Sequence, residues 1–137
     1  MGQRLKDTST EKIADGLDYA SHGLRVQAKT ADYTVVAADN GKMFTTRGAA
    51  GTVIFTLPAV TSAFTGHRNW FVNLAAQTMT ISGTAGELVT FNDLAANTVS
   101  LQTGSELIGG GFMVVCDGTS WLVLPMTEET QTVTVAT

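Results

Sequence analysis

An all-β fold is what this sequence predicts, and three observations carry the prediction. Glycine (14) and threonine are abundant while proline is scarce (2), a balance that suits short strands and tight turns better than helices. From residue 33 onward apolar side chains recur with a period of two, the spacing of a strand with one buried face. Turn residues separate these stretches at intervals of roughly 8–12 residues, as in sandwiches and barrels. A chain of 137 residues suits one such body with tails. The expected architecture is a compact β-sandwich or barrel-like domain over 33–126, an N-terminal arm over 1–32 with at most one short helix, and a C-terminal tail strand over 127–137.

In chain order, residues 1–32 are polar, rich in lysine and arginine, and free of strand-like alternation, so they read as an arm. Thr8 and Glu11 have capping-box spacing, and Ile13, Leu17 and Ala20 follow at helical intervals. That predicts a short helix over about 9–20, weakened by Gly16 and Gly23 and marginal unless docked. Residues 33–36 and 42–46 flank Asp39-Asn40-Gly41, a hairpin signal because Asn-Gly tolerates positive φ. In the next strand, 52–57, Val53, Phe55 and Leu57 point one way and Thr52, Ile54 and Thr56 the other, and Pro58 ends it. An irregular loop over 60–68 precedes a strand at 70–74. Short strands follow at 78–82, 88–91, 98–101, 111–116 and 121–124, the last two bracketing a turn at 117–120. Segment 131–136 alternates threonine with valine after Glu128 and Glu129. Alone it would leave backbone groups unpaired, so it is expected to add to a neighbouring subunit, with Val133 and Val135 at that interface.

Charge narrows the function. Charged residues make up 15% of the chain, below the roughly 25% usual in soluble domains, so the surface invites contact with other proteins. All eight cations (Arg4, Lys6, Lys12, Arg25, Lys29, Lys42, Arg47, Arg68) fall at or before position 68. Against six acids there, they give residues 1–68 a net +2, and residues 69–137 carry −6. With a pI of about 4.9 and no clustered basic patch, nucleic acid is not an expected partner. Cys116 is the only cysteine, which excludes an internal disulfide and a cysteine-built zinc site. Nor is there an apolar run of about 18 residues, so no membrane span is expected.

Catalytic chemistry needs a nucleophile with its base, tuned paired carboxylates or a metal cluster. His22, His67 and Cys116 are the candidates. The plainer reading places His22 at the end of the arm, His67 in a polar loop and Cys116 packed within a strand. A small hydrolase or lyase using His67 is therefore the weaker alternative. Gly109-Gly110-Gly111 lacks the Lys-Ser or Lys-Thr of a phosphate loop and reads as a turn, a bulge or a close backbone approach. Glu87, Asp93 and Asp117 lack calcium-loop spacing and read as turn residues. Of Trp70, Trp121, Phe55, Phe71 and Phe91, set at alternating strand positions, most read as core. Phe64, in the irregular loop, is expected to anchor an interface. No cofactor is expected.

The stretches Tyr33-Thr34-Val35-Val36-Ala37-Ala38-Asp39-Asn40-Gly41-Lys42-Met43-Phe44 and Gly51-Thr52-Val53-Ile54-Phe55-Thr56-Leu57-Pro58 resemble a β-module of tailed-bacteriophage virion proteins. Residues 111–123 look like its final hairpin, so the resemblance covers about 33–125. It implies a structural virion protein, a capsid decoration (cement) or head-fibre type, commonly trimeric, with the N-terminal arm engaging the particle. On that reading Arg4, Lys6, Lys12 and Arg25 contact the capsid, and the partners are the major capsid protein and further copies in a homotrimer. Neither nucleic acid nor membrane is among them. The protein would be made in the bacterial host cytoplasm and reside on the capsid surface. A tail or head fibre module for host attachment is the alternative.

Overall fold

The computed structural model describes residues 23–102 and 107–137. Among them twelve strands run in chain order: β1 (Val26–Ala28), β2 (Tyr33–Thr34), β3 (Met43–Thr45), β4 (Val53–Thr56), β5 (Arg68–Val72), β6 (Met79–Ser82), β7 (Leu88–Thr90), β8 (Asp93–Ala96), β9 (Thr98–Leu101), β10 (Gly111–Cys116), β11 (Trp121–Met126) and β12 (Val133–Ala136). Single 3₁₀ turns lie at Ala37–Asp39 and Ser62–Phe64. No helix among the described residues is long and apolar enough to cross a membrane. Seven strands form one sheet in the order β1-β3-β5-β10-β11-β7-β8, and five form a second, β12-β9-β6-β4-β2. The two sheets pack into a sandwich, the all-β class that the strand pattern predicts.

Alternation decides what the layers bury. From the larger sheet Phe44, Phe71, Phe112, Val114, Trp121 and Val123 turn inward, and from the smaller one Val53, Phe55, Met79, Ile81, Val99 and Leu101, all buried. Phe55 and Phe71 meet across the layers with ring centroids 4.8 Å apart, and Phe44 stacks on Phe71 at 5.7 Å. Such pairs add about 0.5–1.5 kcal/mol beyond the area they bury. Trp121 is fully buried, and its indole N–H donates to the Pro58 carbonyl at 2.8 Å, so the ring costs no unpaired donor.

The hairpin expected at residues 39–41 does not form. Up to β6 the chain crosses between sheets after every strand, so β1, β3 and β5 are parallel neighbours, as are β2, β4 and β6. The reason lies in Asp39, which is buried and accepts the Tyr33 hydroxyl (2.7 Å), the Val36 N–H (3.0 Å) and the Lys42 ammonium (3.0 Å). That carboxylate pins a crossover between β2 in one sheet and β3 in the other. Asn40 keeps φ −52, whereas a type I′ turn needs positive φ at both central residues; only Gly41 has it, at +85. Each crossover is tied to the next: the Asn40 side-chain oxygen accepts the Arg68 N–H (3.0 Å), and the Asn69 amide donates to the Asp39 and Lys42 carbonyls.

Three further expectations need correction. The arm boundary at residue 32 falls inside the body, because β1 pairs with β3 and the Arg25 carbonyl accepts the Met43 N–H at 2.8 Å. The detached strand over 131–136 is instead β12, antiparallel to β9 of its own chain. Gln131 N–H donating to the Glu128 carbonyl, and Gln131 Oε1 accepting the Glu128 N–H (both 3.0 Å), close the turn that brings it back. His67 is buried, with Nε2 2.8 Å from Asn69 Oδ1 and its ring edge-on to Trp121, rather than in a polar loop. The short helix expected over 9–20, and Arg4, Lys6, Lys12 and His22, lie outside the described residues.

Candidate protein-binding face

The pleat that buries one side of each strand fixes what the other side presents. On the outer face of the seven-stranded sheet one register line runs Val26, Met43, Trp70, Met113, Leu124. The next line along the strands runs Arg68, Val115, Leu122, Val89. Every member but Arg68 is apolar. Val26 is 59% and Leu124 43% exposed, and Met43, Trp70 and Met113 between them are half-buried. A sheet with one face in water commonly turns polar side chains to it; apart from Arg68, this mixed parallel and antiparallel sheet does not along these two lines.

The band spans about 24 Å across six strands at ~4.8 Å and about 7 Å between its two lines, which lie two residues apart at ~3.3 Å, or on the order of 170 Å². At ~25 cal/mol per Å² its burial yields about 4 kcal/mol, against an association cost of roughly 4–15 kcal/mol. Burial of the band alone thus does no better than break even, and a stable complex through it needs contact beyond it.

Beside it, β7 pairs with β11 only at Leu88 and Val89 before diverging. A shallow groove of about 500 Å³ opens there, lined by Val89, Phe91, Leu94, Leu122, Leu124 and Pro125 among others. Leu94, on the edge strand β8, is 80% exposed. Phe91 and Asn92 form the two-residue turn between β7 and β8, both at positive φ (44 and 66). For phenylalanine that conformation is an outlier.

Charge is graded across this sheet. Among the described residues every cation lies on or beside β1, β3 or β5: Arg25, Lys29, Lys42, Arg47 and Arg68. Arg25 donates to the Asn40 carbonyl, and the Asn40 side-chain oxygen accepts the Arg68 backbone N–H, so one asparagine ties both residues together. Arg68 also stands over Trp70, 5.6 Å from the ring centroid. The opposite flank, β7–β8, carries Glu87 and Asp93. Hydrogen bonds from the Ala95 N–H and the Thr137 hydroxyl hold the Asp93 carboxyl below its ordinary pKa, so it stays anionic.

The outer face of the smaller sheet is its chemical opposite. One line there reads Thr34, Thr56, Ser82, Thr98, Ala136 and the next Ile54, Thr80, Ser100, Thr134. Hydroxyls dominate it, and Thr80 bonds Ser100 at 2.8 Å. One outer face of the sandwich is apolar along these lines, the other rich in hydroxyls.

The residues singled out from sequence scatter over the molecule. Arg25 belongs to the basic flank. Phe64 is half-buried and packs against Trp121 and His67, at 5.9 and 5.6 Å between centroids. Val133 and Val135 face the core of their own chain. Asp117 accepts the Thr119 and Ser120 N–H groups, the turn-holding role its position suggests, whereas Glu87 accepts the Val60 N–H from a distant loop rather than a group of its own turn. Cys116 is a buried thiol. Among the described residues no three His, Cys, Asp or Glu side chains converge on a point. Comparison with known proteins finds no matching family model and no matching curated protein.

Proposed function

We infer that this chain is a non-enzymatic structural protein of a tailed-bacteriophage particle, a decoration or cement protein that binds the assembled capsid surface and reinforces it. Its partners on this reading are the major capsid protein and further copies of itself, as a homotrimer, with neither nucleic acid nor membrane involved. The observation that carries the proposal is the apolar outer face of the seven-stranded sheet, opposed by a hydroxyl face that suits the exposed side of a particle. The resemblance of residues 33–125 to phage β-modules supplies the setting. Mass action through burial supplies the mechanism: each docked subunit adds contact that must be undone before a shell subunit leaves, and symmetry multiplies it. Arg4, Lys6 and Lys12 supply shell contacts beyond the break-even face.

The test is co-sedimentation of the full chain, and of a chain lacking residues 1–22, with empty shells; cutting there spares β1. Binding that weakens at least ~10-fold on truncation is expected. No binding, or binding indifferent to the cut, overturns the assignment. A host-attachment fibre module is the second reading, favoured by Phe91, 46% exposed on a turn tip. It requires binding to host cells that Phe91→Ala abolishes.

A further inference from the structure

The seven-stranded sheet ends in an open strand. β1 pairs with β3 in parallel, and a parallel ladder engages alternate residues of each strand. The Met43 N–H donates to the Arg25 carbonyl and the Lys29 N–H to the Thr45 carbonyl, both at 2.8 Å, which turns the backbone of Gln27 toward β3 as well. The N–H and C=O groups of Val26 and Ala28 therefore point out of the sheet, and they meet no partner among the described residues. We propose that this edge takes up an extended segment of another protein by strand addition, and that the segment alternates carboxylate with apolar side chains.

The register dictates that alternation. Val26 lies opposite Met43 and begins the apolar line of the outer face, with Ala28 on the same side, while Arg25, Gln27 and Lys29 take the other side. There Gln27 Oε1 accepts the Lys42 ammonium at 3.2 Å, and Lys29 Nζ stands 3.7 Å from the Tyr33 ring centroid. Residues 23–31 contain Arg25 and Lys29 and no acid. Among the described residues the one ion pair joins Lys42 to Asp39, so neither Arg25 nor Lys29 meets a carboxylate there. Directly opposed Cβ atoms of antiparallel neighbours lie ~4.5–5.5 Å apart, close enough for unlike charges to attract and like charges to repel. Cations on an edge ordinarily discourage pairing. At β1 they reject a second β1, which would set Arg25 and Lys29 against their like, and admit an acidic strand. The other edges lack this chemistry. β2 is two residues long, β8 ties its Ala95 N–H to Asp93 and slips register on β7, and β12 follows Glu128 and Glu129 in a chain with no cation after Arg68. Apolar side chains on the outer side of the added strand would lengthen the line that runs from Val26 to Leu124, whether or not the chain rides on a capsid, so no shells enter the test.

The experiment titrates the isotope-labelled full-length chain with a short peptide alternating glutamate and valine, and with its lysine–valine counterpart, read by amide chemical shifts and hydrogen exchange. The glutamate peptide should bind at least ~10-fold more tightly than the lysine one. On binding, exchange of the Val26 and Ala28 amides should slow, a measurement that needs no variant. Ala28→Pro removes a donor from the free edge without touching the ladder to β3 and should weaken binding at least ~10-fold. Arg25→Glu combined with Lys29→Glu should reverse the preference between the peptides. Each variant is checked for an unchanged circular dichroism spectrum. Equal binding of the two peptides, no binding, binding without protection of Val26 and Ala28, or binding indifferent to these substitutions would overturn the proposal. So would either result that names another occupant: protection present without peptide and lost when residues 1–22 are removed, or protection that grows with the concentration of the chain alone.

Discussion

Replacing Asp39 with alanine should cost the protein about 2–3 kcal/mol. The carboxylate accepts three hydrogen bonds, but they are not equal. The Lys42 side chain is 23% exposed, so that ion pair contributes no more than about 1 kcal/mol. The Tyr33 hydroxyl is half-exposed and finds water when its partner goes. The Val36 N–H, held at 3.0 Å in a partly buried crossover, loses its acceptor, at ~1–3 kcal/mol. For a chain of this length ~1 kcal/mol moves the melting temperature by about 3–5 °C, so thermal unfolding should come roughly 10 °C earlier. Acid should expose the same interaction. Burial alone would raise the Asp39 pKa, but hydrogen bonds from Val36, Tyr33 and Lys42 outweigh it and hold the carboxyl below its ordinary value. The folded state therefore binds its proton less readily than the unfolded chain. That stabilisation is complete above the ordinary pKa of ~3.9 and is lost as pH falls through the lower folded value. Asp93 and Asp117 are held low as well, so the informative quantity is the difference between wild type and Asp39→Asn. Chemical denaturation at pH 7, 4 and 3 measures it, and the gap should narrow on acidification. A variant within ~0.5 kcal/mol of wild type at pH 7, or a gap independent of pH, would refute the claim that Asp39 pins the crossover.

Other substitutions separate the core, the turns and the face. A Cβ on Gly111 would lie 2.0 Å from the Phe71 carbonyl oxygen, so Gly111→Ala must push β10 from β5 and should lower stability by at least ~3 kcal/mol in urea titration. Trp121→Ala, emptying a fully buried site, should cost ~3–5 kcal/mol by the same measure. Phe91→Asn, at φ 44, replaces a poorly tolerated left-handed residue with one that adopts it readily, and should raise stability by ~0.5–1 kcal/mol. Leu124→Asp, on the outer face, should change stability by less than ~1 kcal/mol while abolishing self-association in sedimentation velocity.

The strands that could be read from sequence are those whose own residues decide their state. β4, β6, β9, β10 and β11 lie within one or two residues of the expected spans, because alternation and flanking turns mark them locally. β1 has three residues, all exposed, and no alternation to betray it; it exists because β3 offers an edge. β8 hides behind a turn whose first residue is phenylalanine. The Asp39-Asn40-Gly41 signal misled because a distant tyrosine and a local lysine, not the turn dipeptide, set the chain's direction there. The apolar outer face had a local signal. Trp70-Phe71-Val72 and residues 111–116 are apolar on both phases of the strand, which marks two-sided burial.

Methionine oxidation reads the apolar outer face directly, since Met43 and Met113 lie on it on either side of Trp70 in one register line and Met79 is buried in the core. With the full chain concentrated enough to associate, peroxide should modify Met43 and Met113 nearly as slowly as Met79, and dilution or Leu124→Asp should speed both. Equal, rapid modification of Met43 and Met113 at every concentration, with shells present or absent, would contradict the account.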